Sequence, residues 1–315
     1  MQNKYNIIFI GTPEYSVPTL QTLMDDERFN VVCMITAPDA KIGRKQILTP
    51  PPVKVLAEQN DIKTLQPKNI KSLSLSLRER VGVRVDVIVT IAYGQIIPET
   101  ILNIPKHGCL NLHASILPKY RGASPIQSAI ASGEKETGIT LMKMDKGLDT
   151  GDIIVQKKID IDKTDTGESL HDKLSKLSAE VTIKYLEDYL LGKLKPKPQD
   201  NTLATIAPKL TREDGKINWQ NSTKEIEQTI RAYYPWPGTW TTWKDMTLKI
   251  IKVSPEILNI NKYKAGEIFE YENQLAVQCK QDALIINELQ LQGKKAMQAK
   301  DFLQGNKDII ESVLG

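Results

Sequence analysis

Short apolar runs alternate with amphipathic stretches through the first half of the chain. Asn6 to Ile10, Val31 to Thr36, Val85 to Ala92, Cys109 to Ala114 and Gly138 to Met144 read as strands, while Val17 to Met24, Pro52 to Gln59 and Ser124 to Ala131 carry helical spacing. Runs that are apolar on both faces and joined by helices predict a mostly parallel sheet in a doubly wound, Rossmann-like α/β domain. In such sheets ligands sit beyond the carboxyl ends of the strands.

From Gly192 to Lys209 the chain reads GKLKPKPQDNTLATIAPK, and three prolines with four lysines in eighteen residues leave no periodicity, the mark of a linker. Beyond it lie a helix from Thr223 to Tyr234 and five strand-like runs: Thr239 to Trp243, Leu248 to Val253, Gly266 to Tyr271, Leu275 to Lys280 and Leu284 to Leu291. So many short strands in so little chain predict a small β-barrel of OB-like type. The expected organisation is a catalytic domain over 1–191, a linker over 192–209 and a barrel domain over 210–315. Ser72 to Arg84, SLSLSLRERVGVR, alternates like an edge strand where a crossover helix belongs, so it reads as an insertion or a poorly formed helix.

Length agrees with two domains, because 315 residues exceed what one core usually organises. Apolar residues are 40% and charged residues 25%, and no apolar run approaches the roughly 18 to 20 residues of a membrane helix. A net charge of +4 permits a polyanionic partner without requiring one. Cys33, Cys109 and Cys279 are too few and too widely spaced for a disulfide framework or a zinc site. With no recognisable targeting segment in MQNKYNIIFIGTPE, a cytoplasmic location is expected.

Polar chemistry concentrates in CLNLHASILPKYRGASPIQ, Cys109 to Gln127. On a strand, side chains alternate, so Asn111 and His113 share one face near its carboxyl end. Downstream, MDKGLDTGDII carries Asp145, Asp149 and Asp152 in a turn, with Gly147 and Gly151 beside Asp149 permitting close backbone approach to a ligand. An amide, an imidazole and a carboxylate suit acyl transfer to an amine: the first two donate to a developing oxyanion, and the third orients the imidazole or takes a proton. Each also reads as structural: His113 as a core histidine, Asp149 as a turn former, Asn111 as a partner for strand-end backbone. His107 and His171 read as structural or surface residues. GTPE at Gly11 lacks the ending of a phosphate loop, no G-x-G-x-x-G follows the first strand, and no cluster has metal-ligand spacing.

The run NLHASILPKYRG followed by GLDTGD resembles the signature of the 10-formyltetrahydrofolate-dependent formyltransferase family. The resemblance implies that Asn111, His113 and Asp149 are the catalytic trio and that Ser115, Ile116, Leu117 and Pro118 help bind folate, with Ile116 standing where the family has Leu. It implies 10-formyltetrahydrofolate as co-substrate and no metal. GTPEYSVPTL, PDAKIGRKQILTPPPVKVLA, TREDGKINW, RAYYPWPGTW and LQGKKAM are similar to the tRNA-modifying branch. That branch implies initiator methionyl-tRNA as acceptor and a monomer. It also implies that the loop from Pro38 to Pro52 meets the acceptor stem through Arg44 and Lys45, although Gln46 stands where a further basic residue is common. Arg231, Lys244, Lys249, Lys252, Lys294 and Lys295 are further candidates to follow an RNA backbone, and Tyr233, Tyr234, Trp236 and Trp240 read as a packing cluster. Two other readings stay open: the same chemistry on a different amine, and a nucleic-acid-binding protein without catalysis.

Overall fold

In the computed structural model, which describes residues 4–43, 45–73 and 76–315, the apolar runs become strands. The extended segments of the first part are Tyr5–Gly11 (β1), Phe29–Ile35 (β2), Ala40–Ile42 (β3), Ile47–Thr49 (β4), Thr64–Leu65 (β5), Val87–Ile91 (β6), Cys109–His113 (β7), Arg121–Gly122 (β8), Glu136–Lys143 (β9), Ile153–Asp160 (β10) and Ile206–Ala207 (β11). The helices are Val17–Asp25 (α1), Pro52–Gln59 (α2), Leu77–Val81 (α3), Glu99–Leu102 (α4), Pro125–Ala131 (α5) and Gly167–Leu190 (α6).

The described residues form a seven-stranded sheet in the order β10-β9-β7-β6-β1-β2-β5. From β7 to β5 all pairs are parallel, whereas β9 and β10 run antiparallel. Both faces are apolar, as parallel strands require. Ile8, Ile10, Cys33, Ile35, Ile88 and Cys109 enter one buried cluster, while the alternate residues Ile7, Phe9, Met34, Val87, Val89, Leu110 and Leu112 are buried on the other side. The order grows outward from β1 in two directions, with β2 and β5 on one side and β6 and β7 on the other. The carboxyl ends of β1, β6 and β7 therefore bound the crevice where a doubly wound sheet takes its ligands.

By internal contact the chain divides into two units, one of residues 1–125, 136–160 and 171–208 and another of 126–135, 161–170 and 209–315. The stretch from Gly192 to Lys209, expected as a linker, belongs up to Pro208 to the first unit. Lys197 and Ile153 exchange backbone hydrogen bonds of 2.8 Å, Arg121 N–H donates to the Thr205 carbonyl, and Ala123 N–H to that of Ala207. Proline and lysine removed the periodicity of this segment but not its bonding, since extended backbone can pair one residue at a time. Ser72 to Arg84 resolves into the end of a 3-10 turn and α3, with Leu73 and Leu77 buried; Ser74 and Leu75 lie outside the described residues.

In the second unit Thr223–Ala232 (α7) opens on a capping box, in which the Ser222 hydroxyl accepts from the Glu225 N–H and the Glu225 carboxylate from the Ser222 N–H. Such a cap is worth about 1 kcal/mol. The strands Thr239–Trp243 (β12), Met246–Leu258 (β13), Ile268–Tyr271 (β14), Gln274–Gln278 (β15), Ala283–Leu291 (β16) and Met297–Gln298 (β17), with the helix Ala299–Gly305 (α8), follow. They make an antiparallel sheet in the order β12-β13-β16-β15-β14, with β17 on β16. Repeated register shifts bend β13 around a core that includes Trp219, Leu248, Ile250, Leu275, Leu284 and Phe302, the OB-like arrangement expected. The four aromatics near its start do not all pack: Trp236 is 58% exposed, and Tyr234 is exposed as well. The peptide bonds before Pro235 and Pro237 in this segment are cis.

Candidate active site

Asn111 and His113 occupy alternate positions at the carboxyl end of β7. His113 is buried, and its Nε2 lies 2.8 Å from the Tyr120 carbonyl. A carbonyl only accepts, so Nε2 carries a proton and Nδ1 is the ring nitrogen turned toward chemistry. Nδ1 faces Asp149 Oδ2 at 3.6 Å, close enough for ion pairing but too long for a hydrogen bond. Both nitrogens thus look at acceptors.

The Asn111 side-chain amide makes no hydrogen bond to any described residue, so its donors and acceptor remain open at the rim. Nearby, Thr90, paired in register with Asn111, has a buried hydroxyl without a described partner, and so does Tyr93 just past β6. Burial pushes the Tyr93 phenol up to about 12. Buried polar atoms left unsatisfied are costly, and their gathering at a sheet's carboxyl rim fits a polar ligand there.

Asp149 adopts a left-handed backbone, φ +51°, in the turn between β9 and β10. Its Oδ2 accepts from the Gly122 N–H at 2.8 Å, which points the carboxylate toward β7, and Oδ1 has no described partner. Asp145 instead closes the turn on itself, accepting from Gly147 N–H and the Thr150 hydroxyl, and Asp152 is exposed. The two glycines serve close approach, but to the chain itself rather than to a ligand. A Cβ on Gly151 would stand 1.9 Å from the Lys143 carbonyl oxygen, and one on Gly147 would stand 2.0 Å from the Thr150 hydroxyl.

The segment Ser115 to Pro118 is clamped from β9 and β10. The Thr140 hydroxyl donates to the Ser115 carbonyl at 2.7 Å and accepts from the Leu117 N–H, while Gln156 Nε2 donates to the Leu117 carbonyl at 2.8 Å. The Ser115 hydroxyl is spent on the Lys119 carbonyl at 2.6 Å, and Ser115 and Leu117 are buried. Ile116 and Pro118 keep partial exposure, so the segment offers its backbone and these two side chains rather than a serine hydroxyl.

The loop from Pro38 to Pro52 forms a hairpin of β3 and β4. Lys54 and Gln66 hold its base through Asp39, at 2.9 and 2.7 Å. Those donors, Gln66 first, keep the Asp39 carboxyl below its ordinary value, so this anchor is present at neutral pH and is lost as pH falls through the depressed value. Lys45 is exposed at the tip; Arg44 lies outside the described residues. Ile42, Ile47 and Leu48 are exposed too.

Of the carboxyl-terminal cations, Arg231 and Lys244 are already paired, with Glu227 and Asp308. His107 packs edge-on against Tyr189, and burial lowers its basicity; His171 packs against Tyr15 and pairs with Asp172. Among the described residues no group of three or more His, Cys, Asp or Glu side chains is gathered as a metal site, and no helix is long and apolar enough to cross a membrane.

The sequence reading missed several groups. The Tyr120 carbonyl, which orients His113, is backbone and leaves no residue-type signal. Thr140 and Gln156 sit inside β9 and β10, where a single polar residue on a strand carries no signal of its own. Gln199, which donates to the Asp149 carbonyl, lay in the supposed linker, where an isolated Gln flanked by Pro and Asp gave no cue.

Residues 5–186 match the family described as Formyl transferase, and residues 209–307 match Formyl transferase, C-terminal domain. The chain is 44% identical over 301 residues to the methionyl-tRNA formyltransferase of Geobacter metallireducens, covering 95% of each. Among solved structures it is similar to an N-formyltransferase from Helicobacter canadensis in complex with folinic acid and dTDP-3-aminofucose (TM-score 0.66, 21% identity, 90% of this chain and 98% of that one). It is also similar to methionyl-tRNA formyltransferase from Clostridium thermocellum (TM-score 0.54, 20% identity, 80% and 94%). At those identities the two structures speak to fold alone.

Proposed function

This chain belongs to the formyl transferase family, and from that premise we propose that it moves the formyl group of 10-formyltetrahydrofolate onto the amino group of methionine carried by initiator tRNA. The observation that carries this reading is an alignment with a methionyl-tRNA formyltransferase that spans nearly the whole of both chains, second domain included.

The co-substrate supplies the one-carbon unit already at the oxidation level of the product, so no redox step is needed. The Asn111 amide donates to the formyl oxygen. His113 Nδ1, protonated, donates to the same oxygen as charge builds there, while the Tyr120 carbonyl holds the ring through Nε2. Asp149 lies beside the imidazole, and its Oδ1 takes a proton from the amine as nitrogen bonds to the formyl carbon; that proton then passes to N10 as the bond from carbon to N10 breaks and tetrahydrofolate leaves. Ile116 and Pro118, with the backbone of Ser115 and Leu117, border the folate. The open Asn111 amide and the unsatisfied hydroxyls of Thr90 and Tyr93 support a polar ligand at this rim.

Residues 1–191 form the catalytic part and 210–315 the part that follows tRNA, in keeping with where the two family matches fall. Arg44 and Lys45 meet the acceptor stem. The chain works as a monomer in the cytoplasm, where charged tRNA and reduced folate are found together; its three free, buried cysteines suit a reducing compartment.

Incubated with methionyl initiator tRNA and 10-formyltetrahydrofolate, the protein should yield N-formylmethionyl-tRNA, and an excess of a dTDP-amino sugar should not compete. Formylation of the sugar with none of the tRNA would contradict the reading. Lys45→Ala is expected to weaken tRNA binding and to flatten the plot of log affinity against log salt by about 0.7 to 0.9, one phosphate contact. Filter binding across a salt series measures both.

A further inference from the structure

The turn that carries Asp149 is fixed from beneath by a side chain from a distant part of the sequence. Gln199 Nε2 donates one hydrogen to the Asp149 carbonyl at 2.8 Å and the other to the Gly151 carbonyl at 2.7 Å. Its Oε1 accepts twice from Arg121, from Nε at 3.1 Å and Nη2 at 2.7 Å. A primary amide has two donors and room for two acceptor contacts, and all four are used here. Arg121 has only donors, so the amide can sit one way round: oxygen to the guanidinium, nitrogen to the turn. Arg121 is 6% exposed and Gln199 9%, and the guanidinium also reaches Asn201 Oδ1 at 2.8 Å.

This arrangement answers a local difficulty. A non-glycine residue with φ near +51° is disfavoured, and a turn built on it relaxes unless its neighbours hold it. The two carbonyls gripped by Gln199 flank Thr150, on either side of the bend. Arg121 is also joined by one peptide bond to Gly122, whose N–H sets the Asp149 carboxylate. One short segment therefore fixes both ends of Asp149: its backbone through Gln199 and its carboxylate through Gly122.

We propose that Gln199, oriented by Arg121, is a positioning residue that keeps Asp149 at its working distance from His113. The proposal rests on the reading of Asp149 as part of the reacting trio. Gln199 touches none of the reacting atoms; it acts through the turn. Its effect should therefore appear in the chemical step and should vanish when the Asp149 carboxylate is absent.

The test is steady-state formylation of methionyl-tRNA by the full chain, with thermal melting of each variant as a check on folding. Gln199→Glu is close to isosteric and keeps a partner for Arg121, but it replaces the one nitrogen whose two hydrogens hold the turn with an oxygen facing both carbonyls. Its kcat is expected to fall about 10- to 100-fold, with KM for folate and for tRNA within about threefold of the parent, as small misplacements of a catalytic group do. Arg121→Lys, which keeps the charge and loses the fork, repeats the test from the other end and should lower kcat in the same manner. In an Asp149→Asn background Gln199→Glu should cost less than about threefold more, because the group it positions has gone. A kcat within about twofold of the parent, a loss confined to KM, or the full loss repeated in the Asp149→Asn background would overturn the proposal. A parent that formylates no methionyl-tRNA is instead a failure of the functional reading, told apart because only the parent is needed to see it.

Discussion

Replacing His113 with alanine is expected to lower kcat for formylation of methionyl-tRNA by about 10²- to 10³-fold, with KM for both substrates near that of the parent. The expectation follows from how the ring is held. Nε2 is committed to the Tyr120 carbonyl at 2.8 Å, which leaves Nδ1 to serve both Asp149 and the formyl oxygen. The 3.6 Å gap from Nδ1 to Oδ2 matters here, because a short bond would tie the remaining proton to the carboxylate. At the observed separation Asp149 does not monopolise the Nδ1 position. Alanine removes the donor together with the hydrogen bond that the ring makes to the Tyr120 carbonyl, a stability cost of about 1 kcal/mol. Rapid-quench single-turnover assays separate the slow chemistry from weakened folding, which shows in the melting curve. Near-normal turnover in His113→Ala would remove the imidazole from the reaction.

Asn111→Ala should lose a similar factor in kcat, about 10²- to 10³-fold, as removing one oxyanion donor commonly does, yet with almost no change in melting temperature. The contrast with His113 is physical. The Asn111 amide makes no hydrogen bond to any described residue, so truncation leaves no described partner stranded. Large loss of rate with intact stability is the signature of a group kept for the transition state alone. Asn111→Asp sharpens the point: it keeps the size and adds a negative charge where charge must build, so it should be at least as damaging as alanine. A variant that melted early but turned over normally would make Asn111 a structural residue after all.

How legible these features were depended on whether the relevant group was a side chain in a patterned segment. The sheet was readable because β1, β2 and β6 are apolar on both faces, and α1 and α2 lie within a residue of where the spacing put them. The long helix α6 carries a signal of the same kind, with Leu170, Leu174, Leu177 and Val181 buried at helical spacing. The pairing of β3 with β4 was hidden because each is short and exposed, so neither alternates against a core. The segment after Gly192 looked free because proline suppresses periodicity, yet its bonds to β8 and to Ile153 are made by backbone, which composition does not report.

Within the site, Asn111 and His113 were legible from strand alternation, and Asp149 was one of three candidates that the turn alone did not distinguish. What selects it is three-dimensional. The Gly122 N–H draws its carboxylate toward β7, whereas Asp145 is spent on Gly147 and Thr150. The roles of Gly147 and Gly151 also changed on folding, since the space they free is filled by the chain's own atoms.

The central claim is that the Asn111 amide and His113 Nδ1 meet on one formyl oxygen with Asp149 alongside. The most direct test is a crystal structure of the protein bound to a hydrolysis-resistant 10-formylfolate analogue. The formyl oxygen is expected within about 3.2 Å of both Asn111 Nδ2 and His113 Nδ1. A formyl group bound more than about 6 Å from either donor, beyond the reach of any hydrogen bond, would contradict it.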